Sequence, residues 1–244
     1  MRTMRFWAIA LGVVSLITLQ PTAQQAKPQN AQQVLDRMAQ AMGRAQAAKF
    51  RTIQITGTIE YPAQGIQGRY EAFYKSPNKF LLRMSIPNVA EVQQGYDGKV
   101  GWEKNSMTGL RQLQGAELEQ IRQSATMGAG NDVSKMLRNP RLQGQEKMGN
   151  RNTFVITAQT TTGSPVKIFV DAQRYLILRM DMEVATPQGK LNTSTLFEDY
   201  RKVDGVMYAF TTRQSTANLQ AVIKIERVRH NVTLKDSLFQ MPKN

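Results

Sequence analysis

The sequence holds one histidine, His230, and no cysteine. With that inventory neither the usual zinc sites nor a Cys–His nucleophile can be assembled. A Ser–His–Asp triad would have to recruit His230, at the end of an alternating segment, and no Gly-x-Ser-x-Gly elbow accompanies it. Paired carboxylates can act as acid and base in sugar hydrolysis. The candidates here, Asp171, Asp181, Glu198 and Asp199, fit equally well as turn residues or as the wet side of strands. Neither common kind of phosphate-cradling glycine loop is present. The residues with reactive side chains therefore point to a protein that is not an enzyme and uses no metal or other cofactor.

The chemistry on offer is apolar. Of 13 methionines, 11 follow residue 26, and Met38, Met42, Met84, Met136, Met180 and Met182 fall on apolar stripes. Methionine is flexible and polarizable, which suits surfaces that adapt to varied apolar partners, although it also fills gaps in ordinary cores. The candidate cleft residues are Ile53, Ile55, Phe80, Leu82, Met84, Trp102, Leu176, Leu178, Met180 and Met182. An apolar cleft is a default binding site, provided that the surrounding elements leave one open.

Strands must carry these residues. In the stretch 166–230, Leu176, Leu178, Met180, Met182 and Val184 recur at a strict period of two, with Ile177, Arg179, Asp181 and Glu183 between them. Successive strand residues face opposite sides, so the first set is read as dry and the second as wet. Leu219, Ala221, Ile223 and Ile225 repeat the pattern, and so do Ile53, Ile55, Gly57 and Ile59 earlier in the chain. Pro187-Gln188-Gly189, Asp97-Gly98 and Asp204-Gly205 punctuate the runs as hairpin turns do. Turns of two to six residues recur throughout, so residues 27–244 read as one domain of about ten or eleven strands.

Helical periodicity occurs twice. Asn30 can cap a helix whose stripe is Val34, Leu35, Met38, Ala41, Met42 and Ala45, with Gly43 as a weak point or an end. Residues 115–124 and 133–137 read as two short amphipathic helices joined by Gly128-Ala129-Gly130, the second capped by Asp132 and stopped by Asn139-Pro140. Leu118, Ile121, Val133 and Met136 would form the apolar side of a lid, with Gly128 and Gly130 as its hinge. A sheet of this many strands has to curl. The expected fold class is mainly β (α+β), a strongly curved antiparallel sheet with an N-terminal helix and a central helical lid on its concave side.

Arg2 and Arg5 precede an apolar run at 6–19 and small residues up to Ala23 and Ala26, as in a secretory signal cut near either alanine. The run is short for a membrane span, which needs about 20 apolar residues. Without the two arginines the formal charge of +14 becomes +12, a balance that favours anionic partners such as phospholipid head groups. Nucleic acid does not fit an exported chain without a dense basic run.

Tyr96-Asp97-Gly98-Lys99-Val100-Gly101-Trp102, then Asp199-Tyr200-Arg201-Lys202-Val203-Asp204-Gly205-Val206, then Leu238-Phe239-Gln240-Met241-Pro242 stand in an order that resembles LolA/LolB-like outer-membrane lipoprotein-sorting proteins. The resemblance spans residues 32–242 and departs at Ala209, where related sequences carry proline. It implies an unclosed β-barrel whose helix-lined apolar interior holds acyl chains. It further implies a monomeric periplasmic carrier of lipoproteins or phospholipid toward the outer membrane, with transient contacts to membrane-associated donor and acceptor proteins. A periplasmic sensor or interaction module of the same fold, binding lipoproteins and a regulator, is the alternative.

Overall fold

The computed structural model describes residues 28–128, 133–186 and 189–243. The proposed signal peptide at 1–26, the Ala129-Gly130 part of the hinge, Asp132 and the Pro187-Gln188 turn lie outside the described residues.

Thirteen strands form one antiparallel sheet. They are β1 (Thr52–Tyr61), β2 (Ile66–Lys75), β3 (Lys79–Ile86), β4 (Ala90–Tyr96), β5 (Gly101–Asn105), β6 (Gly109–Gln112) and β7 (Leu137–Met148). The rest are β8 (Arg151–Thr160), β9 (Pro165–Asp171), β10 (Ile177–Thr186), β11 (Gly189–Val203), β12 (Val206–Ser215) and β13 (Gln220–His230). The spatial order runs β6 to β1 and then β13 down to β7, so each strand pairs with its chain neighbour except where β1 meets β13. Strands β6 and β7 are left as free edges, and the barrel is unclosed. The count exceeds the sequence expectation because the stretch 166–230 resolves into five strands.

The turns form as their residue types require. Asp204 and Gly205 take φ of +47° and +85°, the paired positive values of the hairpin turn that matches strand twist. The Asp97 carboxylate accepts from the amides of Lys99 and Val100 at 2.8 and 2.7 Å, closing the β4–β5 turn from inside.

Helix α1 (Ala31–Ala41) starts where the Asn30 side chain accepts the Gln33 amide at 3.0 Å, and the Gln33 side chain reaches back to the Gln29 amide. It ends because Gly43 adopts φ +85°, and α2 (Arg44–Ala47) follows. A Cβ at Gly43 would sit 2.4 Å from the Gly205 carbonyl oxygen, so the kink is also a close approach to the β11–β12 turn. Arg37 of α1 donates to the Tyr175 hydroxyl at 2.8 Å and fixes the helix over β9 and β10. Helix α3 (Gly115–Gly128) fills the connection between β6 and β7. No helix among the described residues is long and apolar enough to cross a membrane.

Three local expectations are corrected. The second lid helix is one 3₁₀ turn, Val133–Met136, and β7 begins immediately at Leu137. Strand β7 then passes through Pro140 in a register shift between Arg138 and Arg141, on an edge strand, where a missing amide costs little. In β10 the strict alternation fails at a bulge between Ile177 and Arg179. Ile177, expected to be wet, is buried in the cluster beneath α1, whereas Leu178 lies apart from it, among Met148, Arg151, Leu196 and Glu198.

Replacing Asn30 by Ala removes the side-chain cap of α1 and is expected to lower stability by about 1 kcal/mol. A denaturant midpoint shifted by that amount at unchanged slope is the measurement.

Candidate functional site

The concave face of the sheet carries three apolar clusters, each beneath a different helix. Under α1, Val34, Leu35 and Met38 pack on Phe154, Ile156, Ile168, Val170, Leu176 and Met180, with Val133 beside them and Met182 at the margin. Under α2, Ala47 meets Phe50, Ile53, Val206, Tyr208, Phe210 and Val228. Under α3, Ile121 and Ala125 lie on Ala72, Phe80, Tyr96 and Leu113, flanked by Tyr70, Tyr74, Leu82 and Leu118. Ile55 touches both the second and third clusters, so it joins them across β1.

The sequence-predicted cleft residues are thus divided. Ile55, Phe80, Leu82, Leu118 and Ile121 meet in the α3 cluster, whereas Leu176, Met180, Met182 and Val133 belong to the α1 cluster. Ile53 belongs to the α2 cluster, and half-buried Met84 faces Tyr70 and Val92 across its two ladders. Met136 is buried, and Gly128 closes α3.

Trp102 is on the other face. Tyr96 pairs with Gly101, so Trp102 pairs with Gly95 and shares the side of Leu81 rather than of Phe80. It packs with Phe73, Leu81 and Phe239 and donates its indole N–H to the Phe239 carbonyl at 2.9 Å. The hairpin register around Asp97-Gly98 already contained this parity.

Two tyrosines flank the α3 cluster. Burial raises the Tyr70 hydroxyl to about 12 and the Tyr74 hydroxyl further. Both nonetheless keep part of their surface uncovered by protein atoms, as do Ile55, Leu82 and Met84 on the same face. Toward β10, two adjoining cavities of about 290 and 230 Å³ share Gln120 and Val184 in their walls. Each is smaller than the roughly 300–1,000 Å³ of a ligand pocket, so α3 holds this end of the cleft nearly shut.

Helix α3 is fastened by a polar clamp that the sequence reading passed over. The Arg111 guanidinium grips Glu117 with two parallel bonds of 2.8 Å each and reaches Glu103 on β5 at 3.2 Å. This is the bidentate geometry that makes arginine–carboxylate pairs strong, and Glu117 also lies in the first turn, where the helix dipole favours an anion. The hydrogen bonds from Arg111 hold the Glu117 carboxyl below its ordinary value. Against β5 the helix approaches so closely that a Cβ on Gly101 would stand 2.8 Å from Leu118 Cδ1 and 3.0 Å from Ile121 Cγ2. The available sequence signal was Arg111 with Glu117 six residues on, across a strand-to-helix turn.

His230 is not part of this cleft. Its imidazole is 3% exposed, stacked 3.8 Å from the Phe50 ring, with Asp204 at 2.7 Å on Nδ1 and the Tyr208 hydroxyl at 2.8 Å on Nε2. Burial first, and then Asp204, push the Tyr208 hydroxyl up, the opposite of an activated nucleophile. The group ties the β11–β12 turn to the end of β13. Among the described residues no cluster of His, Asp or Glu is placed to hold a metal ion.

Because the Glu117 pKa is depressed in the folded state, its contribution is complete above the ordinary value of 4.5 and is lost as pH falls through the folded value. Amide protection in the first turns of α3 is expected to drop over that acidic window in the natural chain. A Glu117→Gln variant is expected to start lower and lose the pH response, which hydrogen exchange corrected for intrinsic rates measures.

No family model and no curated protein matches the chain by sequence. Solved structures do match its fold. A DUF1329 family protein from Desulfovibrio piger superposes with a TM-score of 0.59 at 15% identity, covering 86% of this chain and 97% of that one. A LolA superfamily protein from Nitrosomonas europaea gives 0.58 at 15%, with the same two coverages of 86% and 97%. An outer-membrane lipoprotein-sorting domain from Vibrio parahaemolyticus gives 0.58 at 12%, again covering 86% and 97%. The chain has the unclosed-barrel fold of LolA-like lipoprotein-sorting proteins.

Proposed function

We propose that the protein is a non-catalytic periplasmic carrier that shelters acyl chains of lipoproteins or phospholipids between α3 and the concave face and moves them toward the outer membrane. The observation that carries this reading is the group Ile55, Tyr70, Tyr74, Leu82 and Met84 on one face of the sheet beside α3, apolar surface that the helix leaves only half-buried. An ordinary core would have closed over them, because unfilled apolar space forfeits packing. The shared fold supports the reading at the level of architecture.

Physical need and structure match. An acyl chain crossing water exposes about 0.8 kcal/mol per CH₂, or about 13 kcal/mol for a chain of roughly sixteen carbons. The carrier hides that surface by substituting cargo for its own Leu118 and Ile121 on the wall formed by Phe80, Leu82, Tyr70 and Tyr74. Release requires that α3 be held by something weaker than the cargo, and a part-exposed arginine clamp with a small apolar footprint fits that requirement. Gly128, one of the two glycines proposed as a hinge, closes α3 at the end remote from the clamp, so unfastening Arg111 lets α3 swing about its C-terminal end.

The chain has no cysteine, so a pair introduced at Gln120 and Val184 carries spin labels without background. Loading with a dodecyl-chain lipopeptide is expected to lengthen that distance by several ångströms, on the scale of a helix displaced by one acyl layer. Gly101→Val, which pushes on Leu118 and Ile121, is expected to lengthen it without cargo. An unchanged distance with cargo bound, or gently purified protein whose organic extract contains no lipid and which takes up none, would sink the carrier reading.

A further inference from the structure

The last eleven residues described, 233–243, do not cover the concave cleft. They run as a strap over the outer face of β3–β5. The strap is firmly anchored: Lys75 Nζ donates to the Leu234 carbonyl at 2.7 Å, the Trp102 indole holds the Phe239 carbonyl, and Phe239 is fully buried. Between strap and sheet lies a groove of about 610 Å³, more than twice either cavity beside α3.

The groove has two kinds of wall. Leu238 and Met241 supply apolar surface over the buried Trp102, and Arg83, Lys235 and Lys243 supply positive charge, with no carboxylate among the described residues that line it. Two acids stand nearby. Asp236 of the strap is consumed by Lys75 and Lys79 at 2.7 and 2.8 Å, which hold its carboxyl down to about 2. Glu71 sits opposite Arg83 across the β2–β3 ladder but forms no ion pair with it. The Arg83 guanidinium lies 5.7 Å over the Phe73 ring, and its Nε is buried with no hydrogen-bond partner. The half-buried Arg83 side chain therefore lines the open groove without a carboxylate paired to it among the described residues, and its charge is available to an anion there.

We propose that this groove is a second binding site, separate from the concave cleft, for a small amphiphilic oxyanion. The guanidinium fork of Arg83 takes the carboxylate or phosphate, and Lys235 and Lys243 close the charge around it. Leu238 and Met241, above the buried Trp102, receive a short apolar body. The groove suits a head group with its first few carbons, and its three cationic residues distinguish it from the wall of Phe80, Leu82, Tyr70 and Tyr74 beneath α3.

The test is a titration of the full chain, ¹⁵N-labelled, with hexyl phosphate, hexanoate, inorganic phosphate and hexanol, following the Trp102 indole N–H and the Arg83 Nε–H. Saturable shifts of both signals with hexyl phosphate or hexanoate are expected, the tighter of the two naming the head group. Inorganic phosphate and hexanol are each expected to bind at least about tenfold more weakly, since each lacks half of the recognised chemistry. Arg83→Gln is expected to weaken binding by about tenfold or more. The surface pair Lys235→Gln with Lys243→Gln, which leaves the sheet untouched, is expected to weaken it by roughly threefold or more. Absence of saturation, equal affinity for inorganic phosphate, indifference to both variants, or shifts confined to Phe80 and Ile121 on the opposite face would each overturn the proposal.

Discussion

One ladder holds the architecture together. Every strand pairing among the described residues joins chain neighbours, apart from β1 with β13, which registers Ile53 against His230 and Glu60 against Val222. Without it the chain would be two separate meanders with no common concave face. The ladder is tight enough to constrain composition: a Cβ on Gly57 would stand 2.1 Å from the Lys224 carbonyl oxygen, beside the register shift in this pairing. At its open end the buried imidazole of His230 joins Tyr208 to the exposed Asp204 in a polar knot under Phe50. The lone histidine is thereby explained as a fastening of the ladder that makes the barrel.

A sheet joined this way has more apolar surface than its helices can fully cover. Helix α1 covers its share with Val34, Leu35 and Met38, each at most 1% exposed, and is pinned by Arg37 to Tyr175. Helix α3 presents fewer buried side chains, chiefly Ile121 and Ala125, and leaves Tyr70, Tyr74 and Leu82 partly uncovered. The two helices share one concave face but differ in how they are held. One is packed as a core element, and the other is latched by an ion pair over half-buried side chains. Latching by charge makes the cover sensitive to conditions that packing would resist.

The outer face is not inert either. The C-terminal strap buries Trp102 and Phe239 there, so the molecule is two layers thick over β3–β5. This explains how a chain without cysteine anchors residues 233–243: an indole hydrogen bond, a buried phenyl ring and two lysine–aspartate contacts replace a covalent staple.

Local chemistry made much of this legible from sequence. The period of two, Asn30 as a cap, Gly43 as a helix end and the Asp-Gly hairpins are dictated within a few residues, and the structure has each of them. Strict alternation misplaced Ile177 and Leu178, because a bulge is an accommodation to neighbouring strands and leaves no local mark. Trp102 was assigned to the cleft on its chemical type, although the register of its own hairpin set it on the other side. The sequence by itself determined a curved antiparallel sheet with apolar and polar faces, since side-chain alternation and turn geometry are short-range. Only the tertiary structure decided that the apolar face divides into three clusters, that Arg111 latches α3 and that the tail makes an outer groove. Those depend on which residues, far apart in the chain, the β1–β13 ladder and the helix crossings bring within a few ångströms.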